Sequence, residues 1–324
     1  MEHLNFNTII KEKTEDMPMV SIIIPCRNEE EFIGKCLRSV VSQNFPKEKM
    51  EVLVVDGMSE DKTREIIKDY IQKYPFIKLF DNPKRIFASA TNIGIKNSKG
   101  NFLILLGAHA TYSKNYVGEC VKYLQENKNI DNVGGNLKSI PAEKTFIAKA
   151  IALSLGGRFG KGREGVVKNK EVDTVFGACY KKEVFEKIGL FNENLKGSSD
   201  MDFSLRLKRS GGKIHLIPNI TSFYYPKTRL KDFFFHNIKD GIWAILPFKY
   251  TRKPFKARHY IPLLFFLTLP LSIWLYLPVC FYHSAKISFR EKDIRLFFII
   301  PIVFAVRHIG YGLGSFLGLI KLII

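Results

Sequence analysis

Three polar clusters in this sequence stand directly after apolar runs, and their residue types suit a binding site. They are Pro25-Cys26-Arg27-Asn28-Glu29, Asp56-Gly57-Met58-Ser59 and Gly107-Ala108-His109. A carboxylate that ends an otherwise apolar strand, as Asp56 does, can accept a hydrogen bond from a base imide and fix a nucleotide. The competing reading of Asp56 is a helix cap, with Ser59 and Asp61 as rival caps. Asn28, with Glu29 and Glu30 behind it, also suits the start of a helix, where acids meet the positive end of the dipole. His109 is a residue type that ligates Mn²⁺ more readily than Mg²⁺, which prefers oxygen; the alternative is a polar loop histidine. A fourth cluster, Ser198-Ser199-Asp200-Met201-Asp202, places two acids where a helix begins.

Regular elements have to bring these residues together. Val20–Pro25 (VSIIIP), Glu51–Asp56 (EVLVVD), Ile77–Phe80 and Asn101–Leu106 (NFLILL) read as buried strands. Between them, residues 28–43, 60–74 and 87–98 carry apolar side chains at helical spacing, such as Phe32, Ile33, Cys36, Leu37 and Val40. Continuous apolar strands alternating with helices predict a mostly parallel sheet covered on both faces. Ligands of such sheets bind beyond the carboxyl ends of the strands. The three clusters are therefore expected to line one crevice, with Pro25 stiffening the first turn. Residues 133–170, glycine-rich and basic, read as a mobile loop region, and Val172–Tyr180 as a further strand. Lys182–Ile188 and Ser199–Arg209 read as helices stopped by Gly189 and by Gly211-Gly212.

The 324 residues carry a net charge of +19. Much of the excess flanks one apolar run: Lys249, Arg252, Lys253, Lys256 and Arg258 before it, and Lys286, Arg290, Lys292 and Arg295 after it. Headgroup anchors explain this placement better than nucleic acid, for which no motif is present. Tyr260–Tyr282 contains no charged residue and is long enough to span a bilayer. Its prolines, Pro262, Pro270 and Pro278, also permit a shallow hairpin. Leu296–Ile320 is a second apolar stretch, rich in glycine and interrupted by Arg307-His308. The five cysteines are scattered and never form CxxC, so neither a disulfide framework nor a zinc site is expected, and a reducing compartment is. The polar N-terminus carries no signal-peptide core.

The runs VSIIIPCRNEE, EVLVVDGMSEDKT, TNIGIKNSKGNFLILL, VDTVFGACYKKEVFEKIGLFNENL and DMDFSLRLKRSGGKI, in that order and spacing, resemble family 2 glycosyltransferases over residues 19–225. The tail, with RHIGYGLGSFLGLI, looks like the succinoglycan-type, exopolysaccharide branch of that family. The resemblance implies a GT-A fold: an α/β, mostly parallel sheet flanked by helices. It also implies an inverting mechanism and a nucleotide-diphosphate sugar donor, a UDP-sugar first. On that reading Pro25, Asn28, Glu29, Asp56 and Ser59 bind the nucleotide. Asp200 is the general base that takes the acceptor hydroxyl's proton, ahead of Asp202, which the helical offset points elsewhere. His109 is the metal ligand for Mn²⁺ or Mg²⁺ on the donor diphosphate.

The sequence departs from the family pattern at two places. Gly107 stands where the usual Asp-x-Asp or Asp-Ala-His motif begins, which opens the way to metal-free catalysis with basic residues neutralising the leaving group. Ser199 stands where an acid is usual. Arg206 is read either as orienting the acids or as an ordinary ion pair. Arg158, Lys161 and Arg163 suit either a loop closing over the diphosphate or a solvated loop. His236, Asn237 and Trp243 correspond loosely to an acceptor-side element, and core packing of an amphipathic interfacial helix explains Phe233–Phe235 and Trp243 equally well.

The expected organisation is a polar lead-in (1–17), a catalytic domain (18–228), an amphipathic basic interfacial segment (229–258) and membrane-associated hydrophobic segments (259–324). The expected partners are a nucleotide-sugar donor, a lipid-linked or polysaccharide acceptor and the cell membrane, with the catalytic domain on the cytoplasmic side and no nucleic acid. The rival readings are a weakened nucleotide-sugar-binding scaffold, which Gly107 and Ser199 suggest, and a nucleotidyltransferase, which the apolar tail fits poorly.

Overall fold

The computed structural model describes residues 17–157, 159–160, 168–252 and 255–324. Nearly all of the expected lead-in, together with Arg158, Lys161, Arg163 and Lys253, lies outside the described residues. The chain runs β1 (Val20–Cys26), α1 (Ile33–Val41), β2 (Met50–Asp56), α2 (Thr63–Lys73), β3 (Ile77–Asp81), α3 (Phe87–Lys96) and β4 (Phe102–Leu105). It continues through β5 (Ala110–Tyr112), α4 (Tyr116–Glu126), β6 (Asn132–Ser139), α5 (Phe146–Gly156), β7 (Lys170–Glu171) and β8 (Cys179–Lys181). Then come α6 (Glu183–Ile188), α7 (Ser199–Arg209) and β9 (Ile214–Tyr224). The tail is helical: α8 (Leu230–Ile245), α9 (Pro247–Thr251), α10 (Ile261–Leu267), α11 (Leu269–Glu291) and α12 (Arg295–Ile323).

Two compact units result. The first comprises the described residues of Met1–Asn136, Val167–Glu193 and Phe203–Ser222, and the second those of Leu137–Val166, Asn194–Asp202 and Phe223–Ile324. The first is built on a mixed sheet of order β3-β2-β1-β4-β8-β6-β9-β5, with β7 paired to β9. Strands β1 to β4 are mutually parallel, while β8 runs antiparallel to β4 and to β6. Every position of β1 and β2 is buried, as strands covered on both faces require. Helix α1 seats Ile33, Cys36, Leu37 and Val40 in that core, which is the spacing the sequence shows.

Several expectations need correction. Pro25 lies inside β1, opposite Val55, and not in the turn. The β1–β4 ladder has ended by then, at Ile23 opposite Leu105, so the missing N–H costs no ladder bond. Residues 133–170 are not one long loop, because they hold most of β6 and all of α5, the latter capped by Thr145, which accepts from the Ala148 N–H at 3.2 Å. Of Val172–Tyr180 only the last two residues are in a strand. Gly177, at φ +67°, turns the chain just before β8.

In the second unit, α12 packs along α8 backbone to backbone. A Cβ on Gly314 would collide with the Ile238 carbonyl, and one on Gly241 with the Tyr311 carbonyl. Small residues allow helices to approach this closely. The apolar run Tyr260–Tyr282 is not a single helix: α10 stops at Leu267 and α11 begins after Thr268. Pro270, in the first turn of α11, has no N–H to extend a helix from the preceding turn. Among the described residues, α12 is the one helix long and apolar enough to cross a membrane.

Candidate active site

Strands β1 and β2 stay in register to their last residues, Cys26 opposite Asp56. The loops that follow therefore leave the sheet side by side, and they are stitched together. The Asn28 N–H donates to Ser59 Oγ at 2.8 Å, and Asn28 Oδ1 accepts from the Glu60 N–H at 3.0 Å. The Glu29 N–H donates to Thr63 Oγ1 at 2.7 Å. The Glu30 N–H reaches Asp61 Oδ2 at 3.2 Å, and the Lys62 N–H returns to Glu30 Oε2 at 3.1 Å. Asn28 adopts the left-handed conformation, φ 52°, which asparagine tolerates better than most residues. It ties the two loops and does not cap α1, whose N-cap is Phe32.

Asp56 is fully buried at the end of β2. Its Oδ2 accepts from the Ser59 N–H at 3.0 Å and from Arg64 at 2.7 Å. Its Oδ1 accepts from the Ser59 hydroxyl and, at a thiol's longer reach of 3.9 Å, from Cys26. A carboxylate offers about four acceptor positions, so Asp56 is saturated. Arg64 also meets Asp81 at the end of β3, at 2.8 Å. Its hydrogen bonds to Asp56 and Asp81 push the guanidinium pKa further up. Sequence reasoning missed Arg64; its only signal was a basic residue in the first turn of the helix after a strand-end acid. Neither Asp56 nor Ser59 caps α2, whose N-cap is Lys62; Asp61, one residue earlier, accepts from the Thr63 N–H at its Oδ1 at 3.0 Å. Burial works to raise the Asp61 pKa, but the hydrogen bonds from Thr63 and Glu30 outweigh it and hold the carboxyl below its usual range.

His109 follows β4, and its Nδ1 lies 3.0 Å from Glu29 Oε1. The ends of β1 and β4 are thus joined across 80 residues of sequence. With the proton assigned to Nδ1, facing Glu29, Nε2 carries the lone pair; carboxylates orient metal-binding histidines in this way. Gly107 explains the missing carboxylate. A Cβ there would stand 2.8 Å from Cζ of Phe176, so the ring occupies the space an aspartate would need. The Phe176 and Gly177 carbonyls accept from the Tyr116 hydroxyl at 3.0 and 2.9 Å, which pins the segment that carries the ring. Among the described residues no group of three or more His, Cys, Asp or Glu side chains is arranged to hold a metal. A single oriented imidazole fits only a metal whose remaining ligands arrive with a phosphate-bearing ligand.

Asp200 belongs to the second unit, exposed in the first turn of α7, whereas Asp202 is buried. Ser198 enters this helix at φ 56°, and Trp243 of α8 packs directly on Gly197, clamping the approach to α7. His236 pairs with Asp240 at 3.6 Å, and Asn237 donates to the Phe233 carbonyl at 2.6 Å within α8. Arg206 has a third role that the sequence did not suggest. It donates to the carbonyls of Ile188 and Leu190 at 2.7 and 2.8 Å, closing the C-terminal end of α6, and it stacks on Phe203.

The sequence model of glycosyl transferase family 2 matches residues 21–189. The dolichyl N-acetyl-α-D-glucosaminyl phosphate 3-β-D-2,3-diacetamido-2,3-dideoxy-β-D-glucuronosyltransferase of Methanococcus voltae is 33% identical over 321 residues, which is 94% of this chain and 98% of that protein. The succinoglycan biosynthesis protein ExoA of Rhizobium meliloti is 26% identical over 249 residues, 70% of this chain and 73% of its own length. The mannosyltransferase PcManGT from Pyrobaculum calidifontis, solved with GDP-Man and Mn²⁺, superposes with a TM-score of 0.63 at 18% identity, covering 92% of this chain and 88% of that one. TarS 1–349 of S. aureus, solved with UDP, gives a TM-score of 0.52 at 18% identity over 92% and 90% of the two chains. At these identities the structural likenesses speak to fold alone, and they bear out the expected GT-A architecture.

Proposed function

Because the chain belongs to glycosyl transferase family 2 and is a glycosyltransferase, we propose that it moves a sugar, with inversion, from a nucleoside-diphosphate donor to a lipid-linked acceptor at a membrane. A UDP-sugar is the first donor to test. The observation that carries this reading is the joining of three strand ends into one platform: Asn28 and Glu29 after β1, Asp56 and Ser59 after β2, His109 after β4. In an α/β sheet that edge is where a nucleotide sits.

In this reading the base faces Asp56, and Ser59 and Asn28 shape its pocket. His109, oriented by Glu29, would hold Mn²⁺ or Mg²⁺ together with the donor diphosphate, where the cation offsets charge on the departing nucleotide. Asp200 accepts the acceptor hydroxyl's proton as that oxygen bonds to the anomeric carbon and the carbon–diphosphate bond breaks on the opposite face. The lipid-linked acceptor is supported by the Methanococcus relative, whose name specifies a dolichyl phosphate-linked sugar as its acceptor. Membrane attachment through residues 259–324, with the catalytic part on the cytoplasmic side, is supported by the apolar length of α12 and by the basic residues around α11.

Membranes holding the protein, given radiolabelled UDP-sugars and a polyprenyl phosphate-linked sugar, should yield organic-extractable label. Asp200→Asn should abolish it without changing the protein's melting temperature. Full activity in Asp200→Asn would remove Asp200 as the base, and a product with the donor's anomeric configuration would overturn the inverting mechanism.

A further inference from the structure

Helix α12 has the length and apolarity to cross a membrane, but its second half is not free to meet lipid. Gly310, Gly314 and Gly318 lie on Phe234, Ile238 and Ile242 of α8, and a Cβ on Gly312 would collide with the Pro262 carbonyl of α10. Ser315, fully buried, donates to the Gly241 carbonyl of α8 at 3.3 Å. Whatever surrounds this half of α12 therefore also surrounds α8, which exposes Lys231, Asp232 and Lys239 and holds the Asp240 side chain at 45% exposure. Exposed charges at that depth are costly in hydrocarbon. Between Arg295 and Arg307 the apolar part of α12 is about 18 Å long, well short of the roughly 30 Å of a bilayer's hydrocarbon.

Helix α11 carries the surface that suits lipid. Leu271, Leu275, Tyr282 and Phe289 recur on one face at helical spacing and are 80, 78, 66 and 84% exposed, with Trp274 beside them at 76%. This face runs about 27 Å along the helix axis. On the opposite face Cys280, Ser284 and Ile287 are buried, and Ser284 Oγ donates to the Leu296 and Phe297 carbonyls of α12 at 3.2 and 2.7 Å. Exposed Lys286, Arg290 and Lys292 border the end of the apolar face. A helix fastened on one side, apolar and exposed on the other, and bordered by cations matches one leaflet of an anionic bilayer, with the helix axis in the membrane plane.

We propose that α11 lies in one leaflet of the membrane through its Leu271–Phe289 face, and that α12 does not cross. This rests on the membrane-attachment reading above and adds which surface makes the contact and that the chain stays on one side.

The five native cysteines are buried, so single introduced cysteines report topology in the full chain. Asn129→Cys in the first unit, Arg290→Cys at the end of α11 and Lys321→Cys at the end of α12 each replace an exposed polar residue. A membrane-impermeant maleimide should label all three from the same side of sealed membrane vesicles. Labelling of Arg290→Cys or Lys321→Cys from the side opposite to Asn129→Cys would overturn the proposal, because α11 or α12 would then cross. The surface is tested by floating the purified full chain with vesicles of equal parts phosphatidylcholine and phosphatidylglycerol. Leu271→Asp and Leu275→Asp should each weaken vesicle binding about tenfold or more, the transfer value of a leucine side chain, and leave UDP binding unchanged. Lys286→Ala should cost about fivefold on these vesicles and little on phosphatidylcholine alone. Unchanged vesicle binding in both leucine variants would overturn the surface assignment, and their conversion of a dimer to a monomer without loss of vesicle binding would give the face to a second copy of the chain. A wild-type protein that binds UDP but no vesicle would sink membrane attachment itself.

Discussion

Gly107→Asp restores the carboxylate that the family pattern leads one to expect, and the structure argues that it will not restore a metal site. The new Cβ would stand 2.8 Å from Cζ and 3.3 Å from Cε2 of Phe176. Ordinary contact begins at 3.4 Å, so the ring must retreat by 3.4 − 2.8 = 0.6 Å before the carboxylate itself is accommodated. The ring's own segment resists, since the Tyr116 hydroxyl holds the Phe176 and Gly177 carbonyls and Gly177 sits at φ +67°. Overpacking of this kind costs about 1–3 kcal/mol. At about 2–4 °C per kcal/mol for domains of 150–250 residues, the melting temperature should fall by several degrees. Mn²⁺-dependent UDP affinity, followed by calorimetry, should not improve. Gly107→Asp combined with Phe176→Ala removes the obstructing ring, and this double variant should bind Mn²⁺ and UDP more tightly than Gly107→Asp alone. A single variant that melts like wild type and gains metal-dependent affinity would refute the argument that Phe176 occupies the carboxylate's place.

Other consequences can be checked on the same protein. Gly314→Ala puts a Cβ onto the Ile238 backbone, which cannot swing aside, so it should destabilise by about 1–3 kcal/mol despite alanine's roughly 1 kcal/mol helix advantage; a melting temperature at or above wild type would count against the packing of α12 on α8. Arg64→Met strips the counter-charge from the fully buried Asp56, and since three other donors remain, a loss of about 2 kcal/mol is expected, with weakened UDP binding. Glu51 is a pH test. Burial alone would raise its pKa, but the Lys99 N–H, the Ser21 hydroxyl and the Lys78 ammonium outweigh that and hold it below the usual value. A depressed carboxylate stabilises fully above its unfolded pKa and loses that contribution as pH falls through the folded one. Glu51→Gln should therefore be less stable than wild type by about 1–2 kcal/mol at pH 7. The gap should close below about pH 4.3 in acid titrations of unfolding, and a pH-independent gap would show that charge is not the cause.

The parts legible in the sequence were those with a single strong period. The continuous apolar runs became β1 to β4, and Ile33, Cys36, Leu37 and Val40 gave away the buried face of α1. Pro218 hides strand β9 by breaking its run, and the turn at Gly177 leaves no mark in hydropathy, so Val172–Tyr180 looks like one continuous strand. Tyr260–Tyr282 was apolar enough to pass for one segment, yet Pro270 decided where the helix breaks. At the site, each candidate was visible singly while the pairings were not. Glu29 and His109 meet only through the strand order, and Arg64 joins Asp56 to Asp81 only because β2 and β3 end together. Arg206 shows the opposite case, a basic residue among acids that is spent on backbone carbonyls because α6 ends beside it.

The saturation of Asp56 sets what a base can gain there. With its four acceptor positions filled by Ser59, Arg64 and Cys26, a ring N–H can enter only by displacing the Ser59 hydroxyl or the distant thiol. Such an exchange trades one hydrogen bond for another and adds little net affinity. A base without that N–H would present a lone pair to a buried carboxylate and be rejected. On the proposed role, then, Asp56 selects the base while the diphosphate end supplies the binding strength. Uridine alone should bind weakly, UDP much more tightly, and CDP should fail where UDP succeeds. Tight binding of CDP would place the source of base discrimination somewhere other than Asp56.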